Sequence, residues 1–148
     1  MRMDVATARR LFASARVARL ATAGADGVPH LVPVTFALDG DDVVWAVDAK
    51  PKTTTALRRL RNIAAQPNVS LLVDHYDEDW SRLWWVRVDG HATVTGVEDE
   101  SAVAVLVAKY EQYARTPPGG PVVRVRVRTW RGWSAAPQPV PDRSHSPR

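Results

Sequence analysis

The chain has 148 residues, 45% of them apolar and 24% charged, the composition of one globular domain able to bury about two thirds of its unfolded surface. It contains no cysteine, which excludes disulfides, thiolate catalysis and thiolate zinc sites and fits a reducing cytoplasm, and no apolar run approaches the ~20 residues of a membrane span. Its 20 lysines and arginines against 16 carboxylates give a formal charge of +4, which favours an anionic partner without saying which one.

Residues 4–15 are predicted as the first helix, with Asp4 at the N-cap position. The Arg-, Ala- and Ser-rich start MRMDVATARRLFASARVARLA also has the composition of an organelle transit peptide, but it runs directly into an apolar strand, and a folded helix is the simpler reading. Strands follow over 17–22 and 30–38, joined by AGADGVP, where Gly24, Asp26 and Gly27 supply the turn chemistry. The turn DGDD at 39–42 leads into VVWAV at 43–47, so three strands follow one another by short connections and are expected to be antiparallel. Residues 53–64 read as a helix in which Ala56, Leu57, Leu60, Ile63 and Ala64 share one face, leaving Arg58, Arg59 and Arg61 outside it. Pro67 ends that segment, VSLLV at 69–73 is a short buried strand, and the acidic loop DHYDED precedes the longest strand, 84–94. There Trp84, Val86, Val88, Ala92 and Val94 point to the core, while Trp85, Arg87, Asp89, His91 and Thr93 point away. A last helix is expected over 98–113, the loop RTPPGGP breaks it, and 122–130 make the sixth strand. In that strand Arg124, Arg126 and Arg128 alternate with Val123, Val125 and Val127, either as a solvated face or as the basic wall of an anion groove. The proline-rich stretch 137–148 is expected to be a disordered tail, leaving residues 1–136 as one domain.

Six strands with short connections and few helices indicate a mainly β fold, a small closed or nearly closed antiparallel β-barrel with peripheral helices, since strand and helix do not alternate regularly. No Gly-rich dinucleotide turn and no P-loop occurs. The segment DAKPKTTTALRRLR at 48–61 stands out instead, because it holds five cations against the single carboxylate of Asp48. Lys50 and Lys52 supply point charges, Thr53 a hydroxyl at the N-cap, and the helix N-terminus unpaired N–H groups, which together suit a phosphate. A basic surface helix with a threonine cap is the alternative that spacing leaves open. No helix-turn-helix or RNP pattern accompanies the basic residues, so nucleic acid is not expected as a partner. His30, His75, His91 and His145 show no ligand spacing, the loop carboxylates Asp74, Asp77, Glu78 and Asp79 read as a solvated loop rather than a cation site, and no side chain is an evident acid or base. No catalytic residue and no metal ligand is assigned.

Taken in order and spacing, ARLAT, DGVPHLVPVTF, VVWAVDAKPKTTTALRRLRNIAAQPNVSLLVD and DWSRLWWVRVDGHATV resemble the FMN-binding split β-barrel superfamily that includes the pyridoxamine 5′-phosphate oxidases. More narrowly, they resemble its actinobacterial branch of coenzyme F420 (deazaflavin) dependent oxidoreductases, over about residues 8–134. The resemblance implies a six-stranded antiparallel split β-barrel of the flavin-binding type and a homodimer with its cofactor groove between the subunits. The family's phosphate-binding lysine loop falls on Lys50, Lys52 and Thr53, with Thr54 and Thr55 where further polar contacts are usual. The ring would lie along Val32, Pro33, Val34 and Thr35, with Ala46, Val47 and Asp48 contributed by the next strand. One face of the first of these strands, Leu31, Pro33, Thr35 and Ala37, is flat and lightly built, so a planar tricycle can approach it closely. Trp80 matches a family aromatic that reaches the cofactor from the partner chain, or else is a core tryptophan at a strand start. Trp133 either lines the groove or packs at the last strand's end.

In one respect the chain departs from the oxidases, which close with an arginine-containing motif, whereas the core here closes with RGWSA; pyridoxamine oxidation is therefore not the expected activity. Coenzyme F420 carries a phosphate and a polyglutamate tail, which would give cations such as Arg58 or the Arg124 face a purpose. The function implied is hydride transfer between F420 and an unidentified conjugated or unsaturated small molecule. The alternatives are an FMN-dependent oxidase or reductase of the pyridoxamine phosphate oxidase type, and a non-catalytic flavin- or deazaflavin-binding protein.

Overall fold

The structure is a computed structural model that describes residues 1–47 and 54–136, with the backbone alone for 54–57; the expected tail at 137–148 lies outside the described residues. Helix α1 (Val5–Ser14) starts where the Asp4 carboxylate accepts the Thr7 backbone N–H at 2.7 Å, the cap read from the sequence. It buries Ala8 and Phe12. Phe12 meets Phe36 at a ring-centroid distance of 4.7 Å and Trp130 edge-on at 5.4 Å, which seats the helix on the sheet.

The strands are β1 (Ala18–Ala23), β2 (Pro29–Val34), β3 (Ala37–Asp39), β4 (Asp42–Ala46), β5 (Asn68–His75), β6 (Trp84–Thr95) and β7 (Val122–Ser134). They form one antiparallel sheet in the order β2-β1-β5-β6-β7-β4-β3. Gly27 (φ 72°) lets the chain turn between β1 and β2, and Gly40 (φ 58°) opens the two-residue hairpin between β3 and β4. In the middle of the β6–β7 ladder the register shifts at Asp89/Gly90, and a Cβ on Gly90 would stand 2.5 Å from the Arg126 carbonyl oxygen. Only glycine allows the two backbones to approach so closely.

Three expectations are corrected. The sheet has seven strands where six were expected, and it is not closed: β2 and β3 are opposite edges. The segment read as one strand over 30–38 leaves one edge at Val34 and joins the other at Ala37. Between them the Phe36 backbone is held by a side chain, its N–H donating to the Tyr110 hydroxyl at 3.0 Å and its carbonyl lying 2.9 Å from the same hydroxyl. A tyrosine thus satisfies the peptide where a ladder would otherwise run. The helix expected over 98–113 is likewise two, α3 (Glu100–Lys109) and α4 (Glu111–Arg115), because Tyr110 between them is extended (φ −116°, ψ 122°) and reaches into the gap between the sheet edges.

The main core gathers Phe12, Leu20, Phe36, Val43, Trp45, Leu71, Val86, Val88, Val123 and Val125 from α1, the strands and the crossing between β2 and β3. A second cluster, Ala37, Val44, Ala102, Leu106, Tyr110 and Val122, lies under α3. Val94, expected in the core, is exposed beyond the bulge of β6. On α2 (Thr54–Ala65), Ile63 is buried as expected, whereas Ala64 is exposed and Asn62 is buried in its place, donating to Thr22 Oγ1 at 3.1 Å.

Arg124 is neither solvated nor part of an anion groove. Its guanidinium contacts Asp99 at 2.8 Å, Asp39 at 2.7 Å and Asp42 at 3.0 Å, tying the start of α3 to the β3–β4 hairpin. The hydrogen bonds from Arg124 hold the Asp39 and Asp99 carboxyls below the usual carboxylate range. Both acids have lowered folded values, so the stability they contribute is complete above about pH 4 and is lost as the pH falls through those lowered values. Arg124→Ala is expected to destabilise the fold by about 2–3 kcal/mol at neutral pH, with the loss shrinking as acid protonates the carboxyls. Urea denaturation at neutral and at acidic pH measures both quantities.

Candidate functional site

A cavity of about 410 Å³ opens where the ends of β2 and β4 face α2 and α4. That is the size of a small-molecule site, roughly 300–1,000 Å³. One wall is Pro33, Val34 and Thr35, the last residues before the chain crosses between the sheet edges, and a second is Ala46 and Val47. These are five of the residues assigned to the cofactor ring in the sequence. Val32, also assigned, packs against the main core next to that wall. Asp48, Lys50, Lys52 and Thr53 lie outside the described residues, as does the side chain of Thr54, the first residue of α2. The phosphate-clamp assignment thus falls on the segment that leaves the cavity wall at Val47 and enters α2, which returns to the cavity through Arg59.

Trp80 stands on a single 3-10 turn (Trp80–Arg82) with 68% of its surface exposed, so it is not a core tryptophan, and it does not line the cavity. The turn is capped by Asp79, whose carboxylate accepts the Ser81 N–H at 3.1 Å, giving one residue of the acidic loop a structural task. Trp133 pairs with Trp85 across β6 and β7 and is also outside the cavity.

The side chains that the sequence reading missed are Arg59, Tyr110, Gln112 and Tyr113. Arg59 enters from α2 with its guanidinium carbon 5.8 Å from the Trp45 ring centroid. Its Nε is buried and has no hydrogen-bond partner among the described residues, and burial lowers its affinity for its proton. An arginine remains charged under such a shift, so the cavity wall carries a desolvated cation that an anionic or electron-rich ligand would satisfy. Opposite it the Tyr113 hydroxyl lies 3.2 Å from Thr35 Oγ1, and Tyr113 meets Tyr110 edge-on at 5.8 Å. Tyr110 is fixed behind them by Phe36 and by the Arg16 carbonyl 2.9 Å from its hydroxyl, with burial raising its pKa. The Lys109 amine sits 3.8 Å from the Phe36 ring centroid on the same plug, and burial first, then the Arg16 charge, brings its pKa down to about 8. The cavity therefore combines flat strand backbone, two tyrosine rings and one half-buried cation, a set suited to holding a planar conjugated group with negative charge at one end.

An open antiparallel sheet whose two edges are bridged by a tyrosine, with a flat-walled cavity at the bridge, defines the architecture. The family model described as pyridoxamine 5′-phosphate oxidase matches residues 5–134, and the chain belongs to that family. Among curated proteins, none matches the sequence. Similar solved structures include an FAD-binding protein from Mesorhizobium loti (20% identity, TM-score 0.65, covering 89% of this chain and 95% of that one). The FAD-binding protein of Mycobacterium smegmatis is similar at 24% identity and TM-score 0.62, with 90% and 97% covered. The haem storage protein HutZ of Vibrio cholerae is similar at 14% identity and TM-score 0.66, with 89% and 95% covered. At these identities the likeness is one of fold. Among the described residues no helix is long and apolar enough to cross a membrane.

Proposed function

We propose that the chain is an oxidoreductase whose cavity holds a flavin-type ring cofactor, coenzyme F420 in the first instance and FMN as the alternative, and passes hydride between it and a conjugated or unsaturated small molecule. The observation that carries this reading is Arg59, a half-buried cation whose buried Nε has no partner among the described residues, on the wall of a cavity otherwise built for a flat ring. Family membership and the two FAD-binding structural relatives support a flavin-type cofactor. Once bound, the ring would supply the hydride chemistry. The chain's own residues do the rest: Pro33 to Thr35 give the ring a flat bed, and Ala46 and Val47 leave room above it. Tyr110 closes the inner end against water, while Arg59 and the Tyr113 and Thr35 hydroxyls meet its polar rim. Lys50 and Lys52 remain the proposed phosphate contacts.

Reduced F420 offered with a panel of quinones, enones and tetrapyrroles is expected to be oxidised, and Arg59→Ala to lower kcat/KM by about ten- to a hundredfold. Saturable binding with no turnover across the panel would instead establish a holder protein, the role named for the haem storage relative.

A homodimer completes this reading. Leu31 (66% exposed) and Pro33 lie on the edge strand β2, and Trp80 (68% exposed) stands apart from the core. Large apolar and aromatic groups so exposed are the material of an interface, and Trp80 would reach a groove from the second subunit. Sedimentation at micromolar concentration is expected to give a dimer, and a Leu31→Asp variant a monomer with weakened cofactor binding. A monomeric wild type in the presence of cofactor would count against it.

A further inference from the structure

A second depression, also of about 410 Å³, lies where the β1–β2 turn meets α2, bounded by Gly24, Asp26, Arg58, Arg61 and Asn62. Arg58 and Arg61 are three residues apart on α2 and so lie on one side of the helix. Among the described residues neither forms an ion pair, which they share with several other arginines such as Arg10 and Arg126. Beside Arg58 and Arg61 in the lining, Asn62 is 8% exposed and anchored to the buried Thr22, and Gly24 packs so closely on it that a Cβ would stand 2.8 Å from the Asn62 side-chain oxygen. The one carboxylate at the rim, Asp26, is turned into its own loop, where it accepts the Val28 N–H at 3.1 Å.

His30 on β2, outside the lining of the depression, is within the field of the same helix. Its Nδ1 is buried without a partner among the described residues. Burial lowers the His30 pKa first, and the charges of Arg58 and Arg59 lower it further.

We propose that this depression is an oxyanion site for a ligand with two adjacent negative groups, a diphosphate or paired carboxylates, held between the Arg58 and Arg61 guanidinium groups. Two forked cations about one helical turn apart match a doubly charged group better than a single phosphate. The ligand has two possible sources. It is either the anionic extension of the molecule whose ring occupies the first cavity, to whose wall the same helix contributes Arg59, or a separate small anion.

The test is NMR of the full chain, following the backbone amides of residues 24–26 and the His30 ring protons. At matched ionic strength, pyrophosphate replacing chloride is expected to shift those amides and move the His30 pKa upward, because a bound anion offsets the arginine charges. The doubly substituted R58Q/R61Q chain, with its fold verified by near-UV circular dichroism, is expected to bind pyrophosphate about tenfold more weakly or worse. FMN and FAD then separate the sources. If FAD reproduces the shifts at residues 24–26 and FMN does not, the diphosphate belongs to the ring-bearing ligand; if pyrophosphate still binds with FMN in place and FAD gives no such shift, the anion is separate. Either result supports the site. Residues 24–26 unmoved by pyrophosphate and by FAD, or shifts of the same size in R58Q/R61Q, would overturn it. Failure of FMN to bind bears on the cavity alone, because the pyrophosphate measurement decides the oxyanion site without it.

Discussion

Replacing both Lys50 and Lys52 with alanine is expected to weaken cofactor binding by about two to four decades while leaving the folding midpoint unchanged. Each charge-assisted contact to a phosphate is worth roughly 1.5–3 kcal/mol, and two of them give that range where they add. The lysines sit in the segment that joins the cavity wall at Val47 to α2, whose contact with the core is made by Ile63 and Leu60 further along. Charge removed from the connection therefore leaves the packing untouched. Added salt is expected to mimic the substitution in part, since a phosphate at the mouth of a groove is screened within a Debye length of about 10 Å at 0.1 M. A double variant that binds FMN and F420 as tightly as the wild type would sink the phosphate clamp and return these residues to an ordinary basic surface helix.

Tyr110→Phe is expected to cost about 2–4 kcal/mol of stability, although it removes only one oxygen. That oxygen receives the Phe36 N–H and lies within hydrogen-bonding distance of the Phe36 and Arg16 carbonyls. Without it the peptide crossing between β2 and β3 is left with unsatisfied groups in a buried place. Because the same ring closes the cavity, cofactor affinity is expected to fall together with stability. Tyr113→Phe is the control: its hydroxyl meets only Thr35 Oγ1 at 3.2 Å, on a half-buried side chain, and a change below about 1 kcal/mol is expected. Equal small effects of the two substitutions in urea denaturation would show that the crossing does not depend on Tyr110.

These two residues also mark where the sequence was readable and where it was not. Asp4 as a cap, the turn around Gly27 and the alternation of Trp84 to Ala92 are signals contained within a few residues, and each stands in the structure as read. The break in the segment 30–38 carries no such signal. Its cause is a tyrosine 74 residues away in the chain, and no local window contains both partners. Arg124 is a similar case: alternation placed it on the polar face of β7, but its partners Asp39 and Asp42 lie 85 and 82 residues distant and remove it from any anion route. At the cavity, Pro33 to Thr35 and Ala46 to Val47, which family resemblance singled out, stand together in the lining. Arg59 was not singled out. Helical periodicity placed it outside the apolar face of α2, and only the tertiary arrangement, which brings the ends of β2 and β4 beside that helix, turns an outward arginine into a half-buried wall.

The central claim is that this cavity holds a flavin-type ring, and a side-by-side titration of the chain with F420 and FMN, followed by ligand fluorescence in wild type and in Arg59→Ala, tests it most directly. Saturable binding of F420, tighter than that of FMN and weakened at least about tenfold by the Arg59 substitution, is the expected result. Tight FMN binding without F420 binding would reject the deazaflavin while leaving the cavity in place. Binding of neither ligand, or binding that is indifferent to Arg59, would contradict the assignment of the cavity itself.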